Sequence, residues 1–205
     1  MSGSSLLPFM DVSRETTATL DAFVALLIKW SPAINLVSRS TLSEVWPRHI
    51  VDSAQLATEL PMAGHWLDLG SGGGLPGIVL AIIAQEKAPE VRFTLVESDQ
   101  RKATFLRQSI IQLKLAAKVE CSRIESLLPQ NADVISARAL APLAQLCAFA
   151  HRHLKPDGIA LFPKGEAAEA EITLAKEAWA FDLQAVPSMT NTGSQILKLK
   201  NIRHV

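Results

Sequence analysis

Four glycines lie within five positions of this chain, at Gly70, Gly72, Gly73 and Gly74. A short apolar strand precedes them, and an apolar helix follows with Pro76 in its first turn, where the missing N–H costs nothing. Open α/β sheets bind nucleotide-like ligands at such strand–loop–helix turns, because glycine lets the backbone approach a ligand closely. The spacing therefore predicts a site for a nucleotide-like ligand at this loop.

The loop fits two classes of adenosine-containing ligand. Gly72-x-Gly74-x-x-Gly77 satisfies the G-x-G-x-x-G pattern of dinucleotide binders, which is weak evidence alone. Asp68 precedes the loop, and the order apolar-Asp-apolar-Gly-x-Gly is similar to the first motif of S-adenosylmethionine-dependent methyltransferases. Glu97 ends a predicted strand 20 residues after Gly77, where a carboxylate can accept hydrogen bonds from the ribose of either ligand. The alternative for the loop is a glycine-rich turn that binds no ligand. The alternative for Glu97 is a solvated acid at the end of a strand.

Helical and extended patterns alternate after the loop. The predicted helices are 78–84, 101–115, 140–154 and 166–180, and the predicted strands are 92–97, 118–121, 133–136, 159–162, 181–186 and 195–200. Before Trp66 the pattern is helical only, over 14–30 and 42–60. We therefore predict an α/β fold with a mostly parallel sheet, helices on its faces and room for an antiparallel final strand. The resemblance of the loop motif implies that this fold is of the Rossmann-like, class I methyltransferase type. An N-terminal helical cap over 1–62 and a core over 63–205 form one compact unit.

Composition limits the classes of protein that need consideration. The 205 residues suit one domain, and a hydrophobic content of 48% is enough for a buried core. No uninterrupted apolar run reaches the roughly 18 residues that a membrane span needs, and the N-terminus lacks the charged start of a secretion signal. We expect a cytoplasmic protein. Cys121 and Cys147 lack a C-x-x-C pattern or a histidine cluster, so we expect free thiols and no metal.

The net charge is zero, with 20 basic and 20 acidic residues. This balance argues against a protein that binds long nucleic acids through its overall charge. Local basic clusters remain compatible with RNA contact, although a charged helix face is more often only solvated. The candidate clusters are Arg101, Lys102 and Arg107, then Arg138, and the run 151–155.

Several separated motifs together resemble one family. The chain is similar to the glucose-inhibited division protein B family, bacterial methyltransferases of the small-subunit ribosomal RNA, over roughly residues 35–165. The resemblance rests on Asn35-Leu36-Val37-Ser38, His49-x-x-Asp52-Ser53, the loop 67–78 with its Leu75-Pro76-Gly77 ending, Glu97-Ser98, Arg101-Lys102-x-x-Phe105-Leu106-Arg107-Gln108, Ser136-Ala137-Arg138-Ala139 and Lys164-Gly165. Gly73 stands where relatives often carry alanine or proline, and Glu97 where many carry aspartate.

The resemblance implies methyl transfer from S-adenosyl-L-methionine to N7 of a guanine in the 530 loop of 16S rRNA, guanine 527 in the usual rRNA numbering. Motif and resemblance together give the expected cofactor contacts: Gly70, Gly72, Leu75, Glu97, Ile124, Glu125 and Arg138. The expected RNA contacts are Arg48, His49, Arg101, Lys102 and Lys164. Trp46 is the best candidate to stack on a base, although burial in the helical cap is the commoner fate of such a side chain.

The implied chemistry suits this composition. Guanine N7 has a lone pair and no proton, so neither a general base nor a cysteine nucleophile is required, and catalysis is mostly positioning. Arg138 is the candidate to orient the base by donating to guanine O6. The alternative is a structural arginine that pairs with an acid such as Asp68 or Glu125.

The predicted partner is an unpaired loop guanine of rRNA, because the major groove of an RNA duplex is too narrow to reach into. With neutral charge and no tyrosine, the chain should bind naked RNA weakly. We therefore expect a 30S subunit or an assembly intermediate as substrate, and a monomeric enzyme. Three alternatives stay open: a methyltransferase for another RNA, small molecule or protein, an NAD-binding oxidoreductase, and a non-catalytic binding module. The absence of tyrosine argues against the oxidoreductase, since no Ser/Tyr/Lys proton relay can be built.

Overall fold

A computed structural model describes residues 7–205 of the chain. Seven strands form one sheet: β1 (Ala63–Leu69), β2 (Glu90–Val96), β3 (Ala117–Glu120), β4 (Ala132–Ala137), β5 (Leu154–Lys164), β6 (Trp179–Pro187) and β7 (Gln195–His204). Their spatial order is β3-β2-β1-β4-β5-β7-β6. Strands β1 to β5 are parallel, and β7 lies antiparallel between β5 and β6. The predicted mostly parallel sheet with an antiparallel final strand is confirmed.

Six α-helices accompany the sheet in the described part of the chain: α1 (Arg14–Ile34), α2 (Asp52–Ala54), α3 (Gly77–Lys87), α4 (Gln100–Leu113), α5 (Leu143–His153) and α6 (Ala168–Ala175). Alternate strand residues face two separate apolar layers, as the period of two requires. Trp66 and Val134 pack with α1, α3 and α4, whereas their neighbours Leu67 and Ile135 pack with α5 and α6. The sheet therefore lies between two helical layers.

Helix α3 explains the apolar run that follows the glycine loop. Its residues from Gly77 to Ala84 are all buried, so this helix is enclosed on every side instead of being amphipathic. Helix α1 covers the same layer. The Phe105 ring of α4 lies 6.4 Å from the Phe23 ring and 5.8 Å from the Trp30 ring, centroid to centroid. The N-terminal helices thus share a core with the sheet.

Helix α1 is also long and apolar enough, by length and composition only, to cross a membrane, with a mean hydropathy of 1.2. The helix contains no long uninterrupted apolar run, because Asp21 and Lys29 interrupt it. Its Leu20, Phe23 and Leu27 are fully buried in the core described above. The apolar face of α1 is therefore used within the fold.

The structure corrects several predicted boundaries. Residues 42–60 do not form one helix: the chain runs through a 3-10 helix (Arg39–Glu44), a π-helix (Trp46–Val51), α2 and a second 3-10 helix (Gln55–Glu59). Pro47 has no N–H to donate, which interrupts a regular helix. The predicted helix 140–154 begins only at Leu143, after Pro142, so residues 138–142 form a loop. The predicted helix 166–180 is shorter, and β6 begins at Trp179.

Candidate active site

The glycine loop begins where β1 ends, at Leu69. Gly70, Gly72 and Gly74 have φ angles of 64°, 51° and 80°, which L side chains rarely adopt. The Ser71 N–H donates to the Val96 carbonyl oxygen (2.9 Å), so the loop is attached to the end of β2. The sequence pattern therefore serves a tight backbone path at the carboxyl edge of the sheet, where parallel sheets place their sites.

Asp68 holds this loop from beneath and is fully buried. Its Oδ1 accepts a hydrogen bond from Ser136 Oγ (2.7 Å), and its Oδ2 accepts one from the Gly77 N–H (3.3 Å). Ser136 Oγ in turn accepts from Trp66 Nε1 (2.9 Å). A side chain at Gly77 is excluded, because a Cβ there would lie 2.6 Å from Asp68 Oδ2. Asp68 therefore joins β1, β4 and the start of α3.

Burial raises the pKa of Asp68 from 3.8 to about 6, although hydrogen bonds from Ser136 and Gly77 oppose this. Between these pH values the folded protein keeps a proton that the unfolded chain has lost. The free energy of unfolding therefore falls as pH rises through that window, by up to about 3 kcal/mol.

Asp68→Asn removes this titration. The wild type is expected to lose stability relative to Asp68→Asn as pH rises from 4 to 7, which urea unfolding at several pH values measures. Asp182→Asn, at an exposed carboxylate, serves as the matched control and should follow the wild type. A stability difference between wild type and Asp68→Asn that does not change with pH would contradict this assignment.

A first cavity of about 410 Å³ opens above the carboxyl ends of β1, β2 and β4. We call it the loop cavity. Its lining includes Gly70, Gly72, Glu97, Ser98, Lys102, Ile124, Glu125 and the segment Ala139–Ala141. Glu97 is 8% exposed; its Oε2 accepts from the Gly72 N–H (2.9 Å) and its Oε1 from the Asp99 N–H (2.8 Å). Each carboxylate oxygen can accept a further hydrogen bond, so Glu97 can hold the loop and meet a ribose.

Five of the expected cofactor contacts line the loop cavity: Gly70, Gly72, Glu97, Ile124 and Glu125. Two do not. Leu75 is buried in the core with α1 and α3, because the chain turns inward there to start α3. Arg138 lines a different cavity. Lys102, expected to contact RNA, lies instead at the loop cavity.

The last turn of α5 supports the far wall of the loop cavity, a different role from the RNA contact considered for the run 151–155. Arg152 donates to the Leu127 carbonyl oxygen (2.8 Å). His153 Nε2 lies 3.2 Å from the Ile124 carbonyl oxygen and donates to it. His153 is fully buried, and burial lowers its pKa, so the ring is neutral at pH 7. Both ends of the segment that carries Ile124 and Glu125 are therefore fixed.

A second cavity, of about 740 Å³, lies beside the first. We call it the arginine cavity. Its walls come from the N-terminal helical segment, the loop after β4, the end of β5 and the β6–β7 turn. The segment Ala139–Ala141 lines both cavities. A group bound in one cavity therefore lies next to a group bound in the other, across a wall three residues long.

Arg138 is held at the arginine cavity by two side chains from the N-terminal segment. One terminal nitrogen donates to Asp52 Oδ2 (3.1 Å) and the other lies 3.4 Å from His49 Nδ1. The alternative expectation of an arginine paired with an acid is therefore met, but by Asp52, 86 residues away, and not by Asp68 or Glu125. A guanidinium carries five N–H groups. Within residues 7–205 only these two contacts engage them, so further donors remain for a ligand.

His49 is neutral at pH 7 in this arrangement. Burial and the nearby Arg138 charge lower its pKa to about 4. Its Nε2 lies 2.8 Å from Thr41 Oγ1, whose own hydrogen reaches the Ser38 carbonyl oxygen (2.9 Å). The ring therefore donates from Nε2 and accepts from Arg138 at Nδ1.

The remaining expected RNA contacts differ in exposure. Arg48 lines the arginine cavity and pairs with Glu44 (2.6 Å), and Arg101 is exposed and lies 3.5 Å from Asp99. Lys164 is 11% exposed, and its Nζ donates to Glu171 Oε2 (2.7 Å) and to the Ala141 carbonyl oxygen (2.8 Å). Lys164 therefore holds the wall between the cavities and has little surface for RNA.

Trp46 does not line either cavity. Its Nε1 donates to Asp21 Oδ1 (3.1 Å) on α1, and its ring packs on the core. The expected stacking role is therefore not supported by its position, and burial in the helical cap describes it better. Among the described residues, no group of three His, Cys, Asp or Glu side chains is placed to hold a metal ion. Cys147 is buried, which raises the pKa of its thiol to about 12.

Comparison with solved structures identifies the class of fold. The chain superposes on an S-adenosylmethionine-dependent methyltransferase from Aquifex aeolicus with a TM-score of 0.60, at 14% identity, over 86% of this chain and 97% of that one. A second solved structure, described as a putative S-adenosylmethionine-dependent methyltransferase from Methanococcus maripaludis, superposes with a TM-score of 0.59 at 13% identity. The superposition covers 93% of this chain and 95% of that one. The fold is that of the class I S-adenosylmethionine-dependent methyltransferases.

Sequence comparison then gives the family. Residues 16–200 match the family described as rRNA small subunit methyltransferase G, and this chain belongs to that family. A ribosomal RNA small subunit methyltransferase G from Cereibacter sphaeroides is 56% identical over all of both chains. Relatives of the same name from Paracoccus denitrificans (49% identical, 95% of this chain and 100% of that one) and a Ruegeria species (48%, 96% and 96%) also match. This membership sets aside the NAD-binding oxidoreductase.

Proposed function

We propose that this protein transfers a methyl group from S-adenosyl-L-methionine to N7 of a guanine in the 530 loop of 16S rRNA, guanine 527 in the usual numbering. The observation that carries the proposal is the pair of adjacent cavities that share the wall Ala139–Ala141. One cavity lies at the glycine loop, and the other presents Arg138. The name of the family and of its relatives supports the small-subunit rRNA as substrate.

The loop cavity suits an adenosine-containing cofactor. A Cβ placed on Gly72 would meet only the Gly70 carbonyl oxygen, at 3.7 Å, so no protein group occupies the space that glycine leaves. Glu97 offers acceptors for ribose hydroxyls, and Ile124 offers an apolar surface for adenine. When bound, S-adenosylmethionine supplies a methyl group made electrophilic by the positive charge on its sulfur. Gly70, Gly72, Glu97, Ile124 and Glu125 would hold it.

The side chains of the arginine cavity suit a nucleophile that needs no activation. Guanine N7 carries a lone pair and no proton, so no group has to remove one. Neither cavity is lined by a cysteine within residues 7–205. The task of the chain is then to hold the base in place, which alone can lower a barrier by several kcal/mol, on the order of 7–11 for well-oriented reactants.

Arg138 is the group best placed to orient the base. Guanine presents O6 and N7 on the same edge, and arginine commonly binds both together. Methylation requires that N7 stay free. A guanidinium held by Asp52 and His49 can donate to O6 alone, because its position is set by the protein and not by the base. We assign Arg138 to the base and not to the cofactor.

We also propose that the substrate is a 30S subunit or an assembly intermediate, bound by a monomeric enzyme. No Phe, Tyr or Trp side chain lines the arginine cavity in the described part of the chain; its apolar surface comes from Pro47, Pro142, Pro163, Leu140, Ile196 and the alanines of the Ala139–Ala141 wall. Proteins that bind single strands alone usually combine aromatic stacking with a basic groove. This chain has a net charge of zero, and among residues 7–205 its arginine cavity offers little aromatic stacking and no strongly basic groove. The particle would supply the remaining affinity.

The test combines cells and purified components. We expect N7-methylguanosine at guanine 527 in rRNA from cells with this gene and none from cells without it. Its presence in both would contradict the proposed function. In vitro, we expect kcat/KM on 30S particles to exceed that on a synthetic 530-loop hairpin by at least a hundredfold. Equal values on the two substrates would refute the particle as substrate while leaving the methylation intact.

A further inference from the structure

The β6–β7 turn is bonded to the N-terminal helical segment next to Arg138. The contact consists of Asp52 and Gln55 from the segment and Ser188 and Thr190 from the turn, a cluster that we call the turn clamp. More than 130 residues separate its two halves in sequence. All four side chains line the arginine cavity.

The bonds of the turn clamp are specific in direction. Thr190 Oγ1 donates to Asp52 Oδ1 (2.8 Å), and the Met189 N–H donates to Gln55 Oε1 (3.0 Å). Gln55 Nε2 donates to Asp52 Oδ1 (3.0 Å) and lies 3.3 Å from Ser188 Oγ. Gln55 is 1% exposed, so its amide cannot exchange these partners for water. The turn is thereby fixed to the Asp52 carboxylate.

That carboxylate also holds Arg138. Asp52 Oδ1 takes the bonds from Thr190 and Gln55, which leaves Oδ2 directed at the Arg138 guanidinium, 3.1 Å away. Any rotation of the carboxylate that moves Oδ2 away from Arg138 would also break the hydrogen bonds that Thr190 and Gln55 donate to Oδ1. The orientation of the guanidinium is therefore coupled to the position of the turn.

The same pairing bears on charge. Methylation at N7 leaves a positive charge on the purine, which an unpaired guanidinium at O6 would repel at close range. The Arg138–Asp52 pair has no net charge, and His49 beside it is neutral. The cavity thus offers donors to O6 without adding a net positive charge.

We propose that the turn clamp positions Arg138 for the substrate base, so that Thr190 and Asp52 act as positioning residues for methyl transfer. This inference rests on the proposed function, because it assumes that Arg138 contacts the base. The cofactor is held in the other cavity by other residues. The clamp should therefore affect turnover on RNA and leave cofactor affinity unchanged.

The first test uses the isosteric pair Thr190→Val and Thr190→Ser. Valine keeps the shape and removes the donated hydrogen bond, whereas serine keeps the hydroxyl. On 30S particles we expect Thr190→Val to lower kcat about tenfold, the scale of one hydrogen bond to a charged group. Thr190→Ser should restore most of that loss. The dissociation constant for S-adenosylhomocysteine should stay within twofold of wild type in both variants.

Thr104→Val is the matched control, since Thr104 is exposed on α4 and bonds only within its own helix. Its kcat should equal that of wild type. Wild-type kcat in Thr190→Val would overturn the proposal, and so would equal losses in Thr190→Val and Thr190→Ser. A parallel loss of S-adenosylhomocysteine affinity would show a general disturbance of the fold and would also overturn it.

Asp52→Asn gives a second, independent measurement. It keeps the acceptor for Thr190 and removes the charge opposite Arg138, so we expect kcat to fall more than tenfold with cofactor affinity retained. An Asp52→Asn enzyme with wild-type kcat would overturn the proposal. The wild-type measurement tests the proposed function separately: if wild-type enzyme leaves guanine N7 of 30S particles unmethylated, the proposed function fails. If wild type is active and the variants keep its kcat, only the role of the turn clamp fails.

Discussion

Gly72→Ala is expected to weaken binding of S-adenosylhomocysteine at least tenfold while the protein stays folded. Gly72 has a φ of 51°, where an L residue costs on the order of 1–2 kcal/mol. Its N–H also donates to Glu97 Oε2, so any relief of this strain moves the carboxylate that meets the ribose. The added methyl group would itself project into space that the protein leaves open.

The measurement is calorimetric titration, supported by thermal shift. At 100 times its dissociation constant a ligand stabilises the fold by about 2.7 kcal/mol, which raises the Tm of a chain this long by on the order of 5–10 °C. Wild type should show this shift with S-adenosylhomocysteine and none with NAD. Gly72→Ala should show a much smaller shift at the same ligand concentration.

Gly193→Ala separates backbone strain from loss of the site. Gly193 has a φ of 96°, and a Cβ there would come no closer than 3.6 Å to its neighbours. It lies in the β6–β7 turn, away from the loop cavity. Both variants should lose stability, and only Gly72→Ala should lose cofactor affinity. Equal affinities in Gly72→Ala and wild type would exclude the loop as the cofactor site.

Local patterns predicted the parts of the structure that depend on neighbouring residues. The glycine loop, the buried helix behind it and the alternation of strands and helices follow from composition within short windows. The irregular stretch 39–59 did not, because the choice between α, 3-10 and π turns there depends on Pro47 and on packing against α1 and α3. Short-range preference is too weak to decide such a segment.

The site was predictable only in part for the same reason. Residues near the loop in sequence, such as Gly70 and Gly72, line the expected cavity. The partner of Arg138 was not found, since Asp52 reaches it through a fold in which 86 residues intervene. Lys102 and Lys164 illustrate a second limit. Charge and the family resemblance indicated RNA contact, but Lys102 lines the loop cavity and Lys164 is paired with Glu171.

Arg138→Ala is expected to reduce kcat on 30S particles by at least a hundredfold and to leave S-adenosylhomocysteine affinity within twofold of wild type. The loss combines a charge-assisted hydrogen bond to O6 with a misplaced base, and a displacement of about 1 Å can cost a hundredfold alone. Cofactor affinity should persist because Arg138 lines the arginine cavity and not the loop cavity. Single-turnover kinetics and calorimetry measure the two quantities.

Arg138→Lys distinguishes orientation from charge. Lysine keeps a cation beside Asp52, so the folded protein avoids the cost of an unpaired, partly buried carboxylate. Lysine lacks the planar arrangement of donors with which arginine fixes a direction toward O6. We expect Arg138→Lys to remain as stable as wild type and still to lose most of its kcat. Arg203→Ala, at an exposed arginine of β7, should behave as wild type.

A normal rate in Arg138→Ala would remove Arg138 from the mechanism. A loss of S-adenosylhomocysteine affinity as large as the loss of kcat would instead assign Arg138 to the cofactor, as the family resemblance implied. Among residues 7–205 the two cavities share only the wall Ala139–Ala141, so these two outcomes are separable in one protein.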